Sequence, residues 1–337
     1  MEVIVSKNEL TSICAKQFIK VGVPENHAYN VAEILVHADL RGVHSHGVMR
    51  TMHYIKRIKS GGININPKFK IDEKSSAVAL LDGDDGLGHV IAKEAMEEAI
   101  KRAKDNKIAM VGVINSSHCG ALSYYVKMAA EQGFIGIALS HTDKVMVPYG
   151  GAESYFGTNP IAFGVPAKKY KPIILDMATS EVAFGKILHA RNIGSTIPEH
   201  WGVDEEGNPT TDPNKVKSLV PFGGPKGYGL AMMIDILSGI LTGSAFGPYI
   251  TPMYGDYDKM RKLGHLFIAI DTSVFIEKED FLNNIDKMIT DIHQVKPAPG
   301  FERVMIPGEP EQLKEDERLI NGIPIPEEIY KQLISIE

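Results

Sequence analysis

The feature that most constrains the fold is an alternation of strand-like and helix-like segments in the middle of the chain. Three short apolar runs alternate with two helical patterns, in the order 77–81, 89–105, 110–114, 121–131 and 134–139. Strand–helix–strand order indicates an α/β region in which helices cover a sheet. Three more short apolar runs are predicted to be strands, at 161–165, 173–175 and 266–270.

The segments on either side of this region have a helical character. Residues 7–40 predict two helices, separated by the break Val23-Pro-Glu-Asn26. A third helix is predicted to begin near Ser45 and to end at Gly61-Gly62. Two later helices are expected at 226–241 and 278–294, and the Pro- and Gly-containing tail from Pro297 is expected to wrap the surface.

These patterns suggest two domains, which a chain of 337 residues is long enough to form. Residues 1–72 and 226–337 are predicted to make one discontinuous, largely helical domain. Residues 73–225 are predicted to make an α/β domain that binds cofactor and substrate.

Charge and cysteine content exclude several functional classes. The net charge of −6 and the lack of a basic cluster with interleaved aromatics argue against a nucleic-acid partner. Lys56, Arg57 and Lys59 are interpreted as a solvated patch. Two cysteines in so long a chain do not form a disulfide framework, which favours the reducing cytoplasm.

No membrane partner is expected either. The N-terminal residues Met1–Lys7 lack the basic start and long apolar run of a signal peptide. The longest apolar segment, Leu230–Leu241, is too short to span a bilayer and is interpreted as a buried helix.

The segment 43–54 is the first candidate site. Ser45 is a plausible N-cap for a helix on which His46, Arg50 and Tyr54 stand four residues apart and share a face. An arginine fork suits a carboxylate, and histidine and tyrosine can exchange protons with a hydroxyl. A solvated helix face is the better interpretation of each residue alone, but the three together favour a site for a small anionic substrate.

Two loops that follow predicted strands are further candidates. His118 lies in Asn115-Ser-Ser-His-Cys-Gly120, where it could act as a general base or be a structural histidine of a capping loop. Cys119 has no neighbour that would stabilise a thiolate and is interpreted as packing. In Ser140-His-Thr-Asp143, Asp143 could orient a histidine, contact a ligand or cap a turn.

A doubly wound dinucleotide fold is not supported. The G-x-G-x-x-G fingerprint is missing, because the nearest stretch, 83–88, has its glycines in the wrong order beside three aspartates. The stretch Gly223-Gly-Pro-Lys-Gly-Tyr-Gly229 suits phosphate better, since it opens a helix and carries Lys226. Its alternative interpretation is a glycine-rich turn with a solvated lysine.

His44 and His46 could share a metal if the backbone is extended. No cysteine or carboxylate cluster at ligand spacing accompanies them, so no metal is expected. A non-catalytic protein that binds a metal or ligand through His44, His46 and His118 is the rival of another class.

The chain also resembles a known family, the non-Rossmann malate/L-lactate dehydrogenases. The matching motifs occur in the same order over nearly the whole chain: His44-Ser-His-Gly47 with Arg50, Ser117-His118, Pro148–Ala152, Gly157–Pro160, Asp176–Thr179, Gly185-Lys186 and Gly224–Gly229. The resemblance implies an α/β fold with its own NAD-binding architecture, a mixed or antiparallel sheet domain and a helical domain. It also implies an NAD(P)-dependent oxidoreductase, usually a homodimer.

The resemblance assigns roles to individual residues. It implies that His118 is the catalytic acid/base and that four residues bind substrate: Ser45, His46, Arg50 and Tyr54. The expected cofactor contacts are Thr142, Asp143, Asp176, Met177, Ala178, Lys226, Gly308, Glu309 and Pro310. Thr142 departs from the family pattern, in which serine can occur, but it keeps the hydroxyl.

The expected reaction follows from a closer likeness within the family. The stretches 195–198, 246–247, 253–254 and 297–301 resemble the branch that oxidises (S)-ureidoglycolate to oxalurate with NAD, a step of allantoin breakdown. The alternative is oxidation of malate, L-lactate or sulfolactate with NAD or NADP.

Overall fold

The computed structural model describes residues 1–335, and within this range its main feature is a seven-stranded sheet. The strands are β1 Glu2–Val5, β2 Lys70–Glu73, β3 Val78–Asp82, β4 Ile108–Ser116, β5 Phe134–Ser140, β6 Ile161–Val165, β7 Ile173–Met177, β8 Gly202–Val203, β9 Ser218–Leu219, β10 Leu263–Asp271 and β11 Ile323–Pro326. The helices are α1 Lys7–Lys20, α2 Glu25–Leu40, α3 Thr51–Lys59, α4 Gly88–Asn106, α5 Ser123–Glu131, α6 Phe184–Ile193, α7 Pro225–Asp235, α8 Lys278–His293, α9 Glu309–Asn321 and α10 Glu327–Ile334.

The order of strands in the main sheet is β2-β3-β4-β10-β5-β6-β7. β3 and β4 run parallel, and the other pairings of this sheet within residues 1–335 are antiparallel. A doubly wound dinucleotide fold would instead have a mostly parallel sheet. The structure therefore confirms the predicted α/β class with a mixed, largely antiparallel sheet.

The six strands predicted from apolar runs are all present, as β3, β4, β5, β6, β7 and β10. Strand β2 was not predicted, because all of its residues are exposed and its sequence lacks apolar alternation. The short pairs β1–β11 and β8–β9 were not predicted either. These strands are too short, or too poor in apolar residues, to give a period-two signal.

Helices α4 and α5 pack against the sheet and form the largest apolar core with it. Along α4, Ile91, Ala95, Ala99 and Ala103 recur every four residues and are buried. Their small side chains let the helix lie close to the buried face of β4. Complete burial of a residue such as Ile91 contributes about 1.5–3 kcal/mol.

The N-terminal helices build a second core. α1, α2 and α3 pack together with β1, β11 and α10, so both ends of the described chain close over the same apolar cluster. The tail from Pro297 was expected to wrap the surface. Part of it, β11 and α10, instead packs into this core. A third, smaller core is formed by apolar side chains from residues 146–231.

The apolar segment 230–241 differs from its prediction. α7 continues into a π-helical turn, Ile236–Ile240. Several apolar side chains of this helix are exposed rather than buried: Met233, Ile236, Leu237, Ile240 and Leu241. Leu230 and Ile234 do pack on the sheet, beside Leu266. The helix is thus apolar on two faces and has only one of them covered.

The division into two domains stays a proposal. β10 comes from the part of the chain assigned to the helical domain, but it pairs in the centre of the main sheet, between β4 and β5. A helical domain would therefore have to exclude residues 263–271. Across the helices of residues 1–335, none combines the length and apolar content that a membrane span requires.

Candidate active site

The pairing of β10 brings three loops to one end of the sheet. β10 begins at Leu263, opposite Ser116 at the end of β4. Two residues later His265 lies opposite Ser140 at the end of β5. The loops after β4 and β5 and the loop before β10 therefore meet. They carry, in that order, His118, Thr142-Asp143 and Arg261.

The loop with His118 is fixed against the start of α4. The Ser117 hydroxyl accepts a hydrogen bond from the Gly88 amide at 2.8 Å and donates one to the Gly86 carbonyl at 2.9 Å. A Cβ at Gly88 would lie 2.1 Å from the Ser117 carbonyl oxygen, so the contact requires glycine. These bonds hold the backbone next to His118 in one position.

Tyr54 and Gly120 contact the same nitrogen of His118. The Tyr54 hydroxyl lies 2.7 Å from Nδ1, and the Gly120 amide donates to Nδ1 at 3.2 Å. An amide can only donate, so the neutral ring carries its proton on Nε2. The Tyr54 hydroxyl can donate to the neutral ring and accept from it once Nδ1 is protonated. The pair can therefore take up one proton and keep its buried hydrogen bond.

Burial and nearby positive charge keep His118 neutral. Burial lowers the pKa of His118 well below its usual value, and His46, His89, Arg50 and Arg261 lower it further. The His46 ring stacks on His118 with centroids 5.6 Å apart, and burial lowers its pKa to about 4. At neutral pH His118 is thus a neutral base whose lone pair, at Nδ1, accepts from Tyr54 and from the Gly120 amide.

Asp39 organises the segment that carries His46. Its buried carboxylate accepts hydrogen bonds from His44 Nδ1 at 2.8 Å and from the Val48 amide at 2.7 Å. A Cβ at Gly47 would lie 2.1 Å from Asp39 Oδ1, so only glycine lets the chain pass so close to the carboxylate. This contact explains locally why the segment bends where it does.

The helix that was predicted to begin near Ser45 begins six residues later, at Thr51. The segment forms two 3₁₀ turns, His44–His46 and Val48–Arg50, and α3 begins at Thr51. The Ser45 hydroxyl is not an N-cap and instead bonds to His46 Nδ1 at 3.1 Å.

The residues predicted from this segment nevertheless converge. Arg50 donates through Nε to the Ser45 carbonyl at 2.7 Å and through Nη1 to the Tyr254 hydroxyl. These bonds fix the plane of the guanidinium, and its charge is felt by both His46 and His118. A guanidinium that can donate hydrogen bonds to a carboxylate, a histidine base and a phenol thus lie within one cluster.

Arg57 is a positioning residue that the sequence analysis misassigned. It was interpreted as part of a solvated patch, but its side chain is only 1% exposed. Its guanidinium donates to five backbone carbonyls of one loop: Pro252, Met253, Gly255, Asp256 and Lys259. This loop carries Tyr254, so Arg57 positions the partner of Arg50. Its neighbours Lys56 and Lys59 are exposed, as expected.

The expected cofactor contacts lie around the end of β7. Asp176 accepts a hydrogen bond from the Ser123 amide at the start of α5, at 2.7 Å. Gly308 follows Pro307, whose carbonyl accepts from the Ile174 amide at 3.3 Å. The residues of this group are mostly accessible: Asp176, Met177, Ala178, Gly308 and Pro310 are exposed or half-buried.

Thr142 and Lys226 border the same region. The Thr142 hydroxyl accepts from the Thr158 amide at 3.2 Å. Lys226 is exposed in the first turn of α7, and the nearby Phe222 amide donates to the Thr179 carbonyl at 3.0 Å. The strand that carries Asp176–Ala178 is therefore joined to the loop before Lys226.

The donors of this region fit a dinucleotide. The Lys226 charge, at the positive end of the α7 dipole, suits a pyrophosphate. Gly223 has no atom within 4 Å of the place where a Cβ would stand, so its backbone is open to a ligand. Glu309 is engaged elsewhere: although burial raises its pKa, hydrogen bonds from His293 and the Ile306 amide bring the pKa below its usual value.

His44 and His46 have different hydrogen-bond partners. His44 bonds to Asp39 and Arg318, whereas His46 bonds to Ser45. Within the described range, no three His, Cys, Asp or Glu side chains are grouped so that they could hold a metal ion. Cys119 is a buried free thiol whose pKa burial raises to about 12, which agrees with a packing role.

Taken together, these contacts bring a neutral histidine, a phenol and a guanidinium into one cluster, a composition suited to proton transfer on a small anionic molecule. Comparison with known proteins gives the same class. The family model described as malate/L-lactate dehydrogenase matches residues 5–334. The chain belongs to this family and is accordingly a dehydrogenase.

Individual relatives cover nearly the full length. The chain is 44% identical to ureidoglycolate dehydrogenase (NAD(+)) of Escherichia coli over 331 residues, 98% of this chain and 95% of that protein. It is 43% identical to a malate dehydrogenase of Pyrococcus horikoshii over 342 residues, 98% and 94% of the two chains. Among solved structures, sulfolactate dehydrogenase of Methanocaldococcus jannaschii superposes with a TM-score of 0.92 at 41% identity, covering 98% and 95%.

The buried contacts of Arg57 predict a specific loss in the Arg57→Gln variant. Several backbone carbonyls of loop 252–259 would lose their donor, which costs roughly 1–3 kcal/mol. We expect a lower free energy of unfolding in denaturant titration and faster proteolytic cleavage within this loop. Lys59→Gln, on the exposed side of the same helix, should match the wild type. Unchanged stability and cleavage in Arg57→Gln would contradict this role.

Proposed function

We propose that the protein oxidises (S)-ureidoglycolate to oxalurate, with NAD as hydride acceptor, in the breakdown of allantoin. The observation that carries the proposal is the cluster of His118, Tyr54 and Arg50. It places a base beside a guanidinium that can bind a carboxylate. The 44% identity to a ureidoglycolate dehydrogenase over nearly the whole chain supports this substrate.

In the proposed reaction, Arg50 holds the substrate carboxylate through its guanidinium. Ser45, His46 and Tyr54 orient the hydroxyl that is to be oxidised. His118 is the general base and acts through Tyr54: the Tyr54 hydroxyl gives its proton to Nδ1 as it takes the proton of the substrate hydroxyl, and the imidazolium that forms carries a proton on each ring nitrogen. The nicotinamide supplies the acceptor for the hydride that leaves the same carbon. The products are oxalurate, the reduced cofactor and one proton.

For the cofactor we propose contacts from Thr142, Asp176, Met177, Ala178 and Lys226. The turn Gly308-Glu-Pro310 is proposed to close the site from the side of α9. The accessibility of the end of β7 and the donors at the start of α7 support these roles. NAD is favoured by the cofactor in the name of the ureidoglycolate relative, while one sulfolactate relative is named for NADP.

We further propose a homodimer in the cytoplasm. The exposed apolar face of α7 and its π turn, which includes Met233, Leu237 and Leu241, is the kind of surface that monomers rarely leave uncovered. A second copy of the chain would cover it. Cys14 and Cys119 are both free thiols, in keeping with a reducing compartment.

Oxidation of malate, L-lactate or sulfolactate is the second candidate, because relatives with the names malate dehydrogenase and L-sulfolactate dehydrogenase are 43% and 44% identical. A panel of these acids and (S)-ureidoglycolate, each with NAD and NADP, separates the two by nicotinamide absorbance. We expect the highest kcat/KM for ureidoglycolate with NAD. A tenfold higher value for another acid would overturn the proposed substrate.

The general-base role predicts that His118→Ala loses about 10²–10⁴-fold in turnover. Cofactor binding should stay close to that of the wild type, since His118 lies on the substrate side. Stopped-flow or steady-state kinetics gives the first quantity, and fluorescence titration with NADH gives the second. His200→Ala, at an exposed histidine, is the control. Near-normal turnover in His118→Ala would remove this residue from the mechanism.

The lowered pKa of His118 predicts the pH dependence of oxidation. The reaction needs the neutral ring, so kcat/KM rises with pH through the pKa of His118 and then levels off. Because burial and positive charge lower that pKa, the rise should lie below the 6.5 of a free imidazole. A pH profile of kcat/KM measures it. A single rise centred above pH 7 would contradict the environment described for His118.

A further inference from the structure

A buried arginine beside the catalytic cluster has a hydrogen-bond donor without a partner. Arg261 is 2% exposed. Its Nη2 pairs with Asp143 Oδ1, and its Nε donates to the Thr251 carbonyl at 3.1 Å. Nη1 is buried and finds no acceptor among residues 1–335. A buried donor without an acceptor is unfavourable, and in native proteins it calls for an explanation.

The position of Arg261 points to a ligand in the substrate pocket. Arg261 precedes β10 and lies at the same sheet end as His118, because β10 pairs with the end of β4. Its charge acts on His118, Tyr54 and Tyr254. Tyr254 also accepts a hydrogen bond from Arg50, the residue proposed to bind the substrate carboxylate. Arg261 and Arg50 therefore lie near the same tyrosine and the same histidine.

The charge of the Asp143–Arg261 pair restricts what this end of the pocket can bind. Asp143 compensates the guanidinium, so the ion pair has no net charge. Nη1 remains as a donor, and Asp143 Oδ2, which the pair does not use, is an acceptor. A neutral group with a carbonyl oxygen and an N–H fits both atoms. A second carboxylate or a sulfonate would approach the Asp143 charge, which is unfavourable.

We propose that Asp143 and Arg261 form a specificity subsite for the ureido group of the substrate, with Arg261 donating to its carbonyl and Asp143 accepting from its N–H. The proposal rests on the proposed oxidation of a ureido-substituted hydroxy acid. It moves Asp143 from the expected cofactor contacts to the substrate side. Ureido substrates are then selected over dianionic hydroxy acids by the neutrality of the pair.

The Asp143→Asn variant tests the role of charge. It removes the negative charge next to Arg261 and leaves the arginine free to attract a second anion. The ratio of kcat/KM for malate to kcat/KM for ureidoglycolate should rise on the order of 10- to 100-fold. Lys262→Gln, an exposed neighbour that pairs with Asp85, is the matched control and should leave the ratio unchanged. An equal loss for both substrates in Asp143→Asn would overturn the subsite.

The Arg261→Gln variant tests the donor. Its kcat/KM for ureidoglycolate should fall by about 10- to 100-fold. Its kcat/KM for L-lactate, which has no group that reaches Arg261, should change less than about threefold. Thermal unfolding of both variants shows whether they fold. If L-lactate and ureidoglycolate lose activity to the same extent, Arg261 has only a structural role and the proposal is wrong.

A measurement on the wild-type protein avoids dependence on folding of the variants. Hydantoate has a carboxylate and a ureido group but no hydroxyl, and succinate has a second carboxylate in place of the ureido group. Hydantoate should inhibit at least tenfold more strongly than succinate, in competition with whichever hydroxy acid the enzyme oxidises best. Equal or stronger inhibition by succinate overturns the subsite. The substrate panel fails or succeeds separately, so the two proposals remain distinguishable.

Discussion

The hydrogen bond between the Tyr54 hydroxyl and His118 Nδ1 is the interaction on which the site depends. It spans 2.7 Å and joins α3, in the N-terminal helical part, to the loop after β4 in the main sheet. The two residues are 64 positions apart in the chain. His118 lies on a loop of the sheet, whereas Arg50 lies in the N-terminal helical part. The contact of Tyr54 with His118 holds these two parts together. Neither half alone could both orient a hydroxy acid and remove its proton.

Buried charges fix the geometry around this bond. Asp39 holds the segment with His46, Arg57 holds the loop with Tyr254, and Arg261 pairs with Asp143. Each charge has left water, which is costly unless it is paired or hydrogen-bonded. Asp39 meets that condition with the His44 ring and the Val48 amide. Arg57 and Arg261 each keep one buried N–H without an acceptor among residues 1–335. Arg261 differs in its position, because it lies close enough to His118 to lower the pKa of that ring.

The sequence predicted the sheet better than the site. Apolar runs of β3, β4 and β5 and the four-residue repeat of α4 report burial directly, so their elements were predicted correctly. The segment around Ser45 was harder, since its bend depends on the contact between Gly47 and Asp39. That contact joins two segments, and no local pattern encodes it.

The same limit applies to the charged residues. The spacing of His46, Arg50 and Tyr54 suggested a shared site, and the structure does bring these side chains to His118. In contrast, Arg57 looked like one lysine-flanked cation among several. Its burial follows from the path of loop 252–259, about 200 residues away. Tertiary structure decides such cases, because local sequence does not show which cation is desolvated.

The most direct test is a crystal structure of the protein with NAD⁺ and oxalurate, an abortive complex in which no hydride can be transferred. We expect the carboxylate of oxalurate to contact Arg50, and the carbonyl oxygen formed by oxidation to lie within hydrogen-bond distance of Tyr54 Oη, the atom that bonds to His118. The nicotinamide would lie on the open side of the same carbon. Binding of oxalurate beside Arg50 but away from the Tyr54–His118 pair, or beside that pair but away from Arg50, would contradict the proposed site.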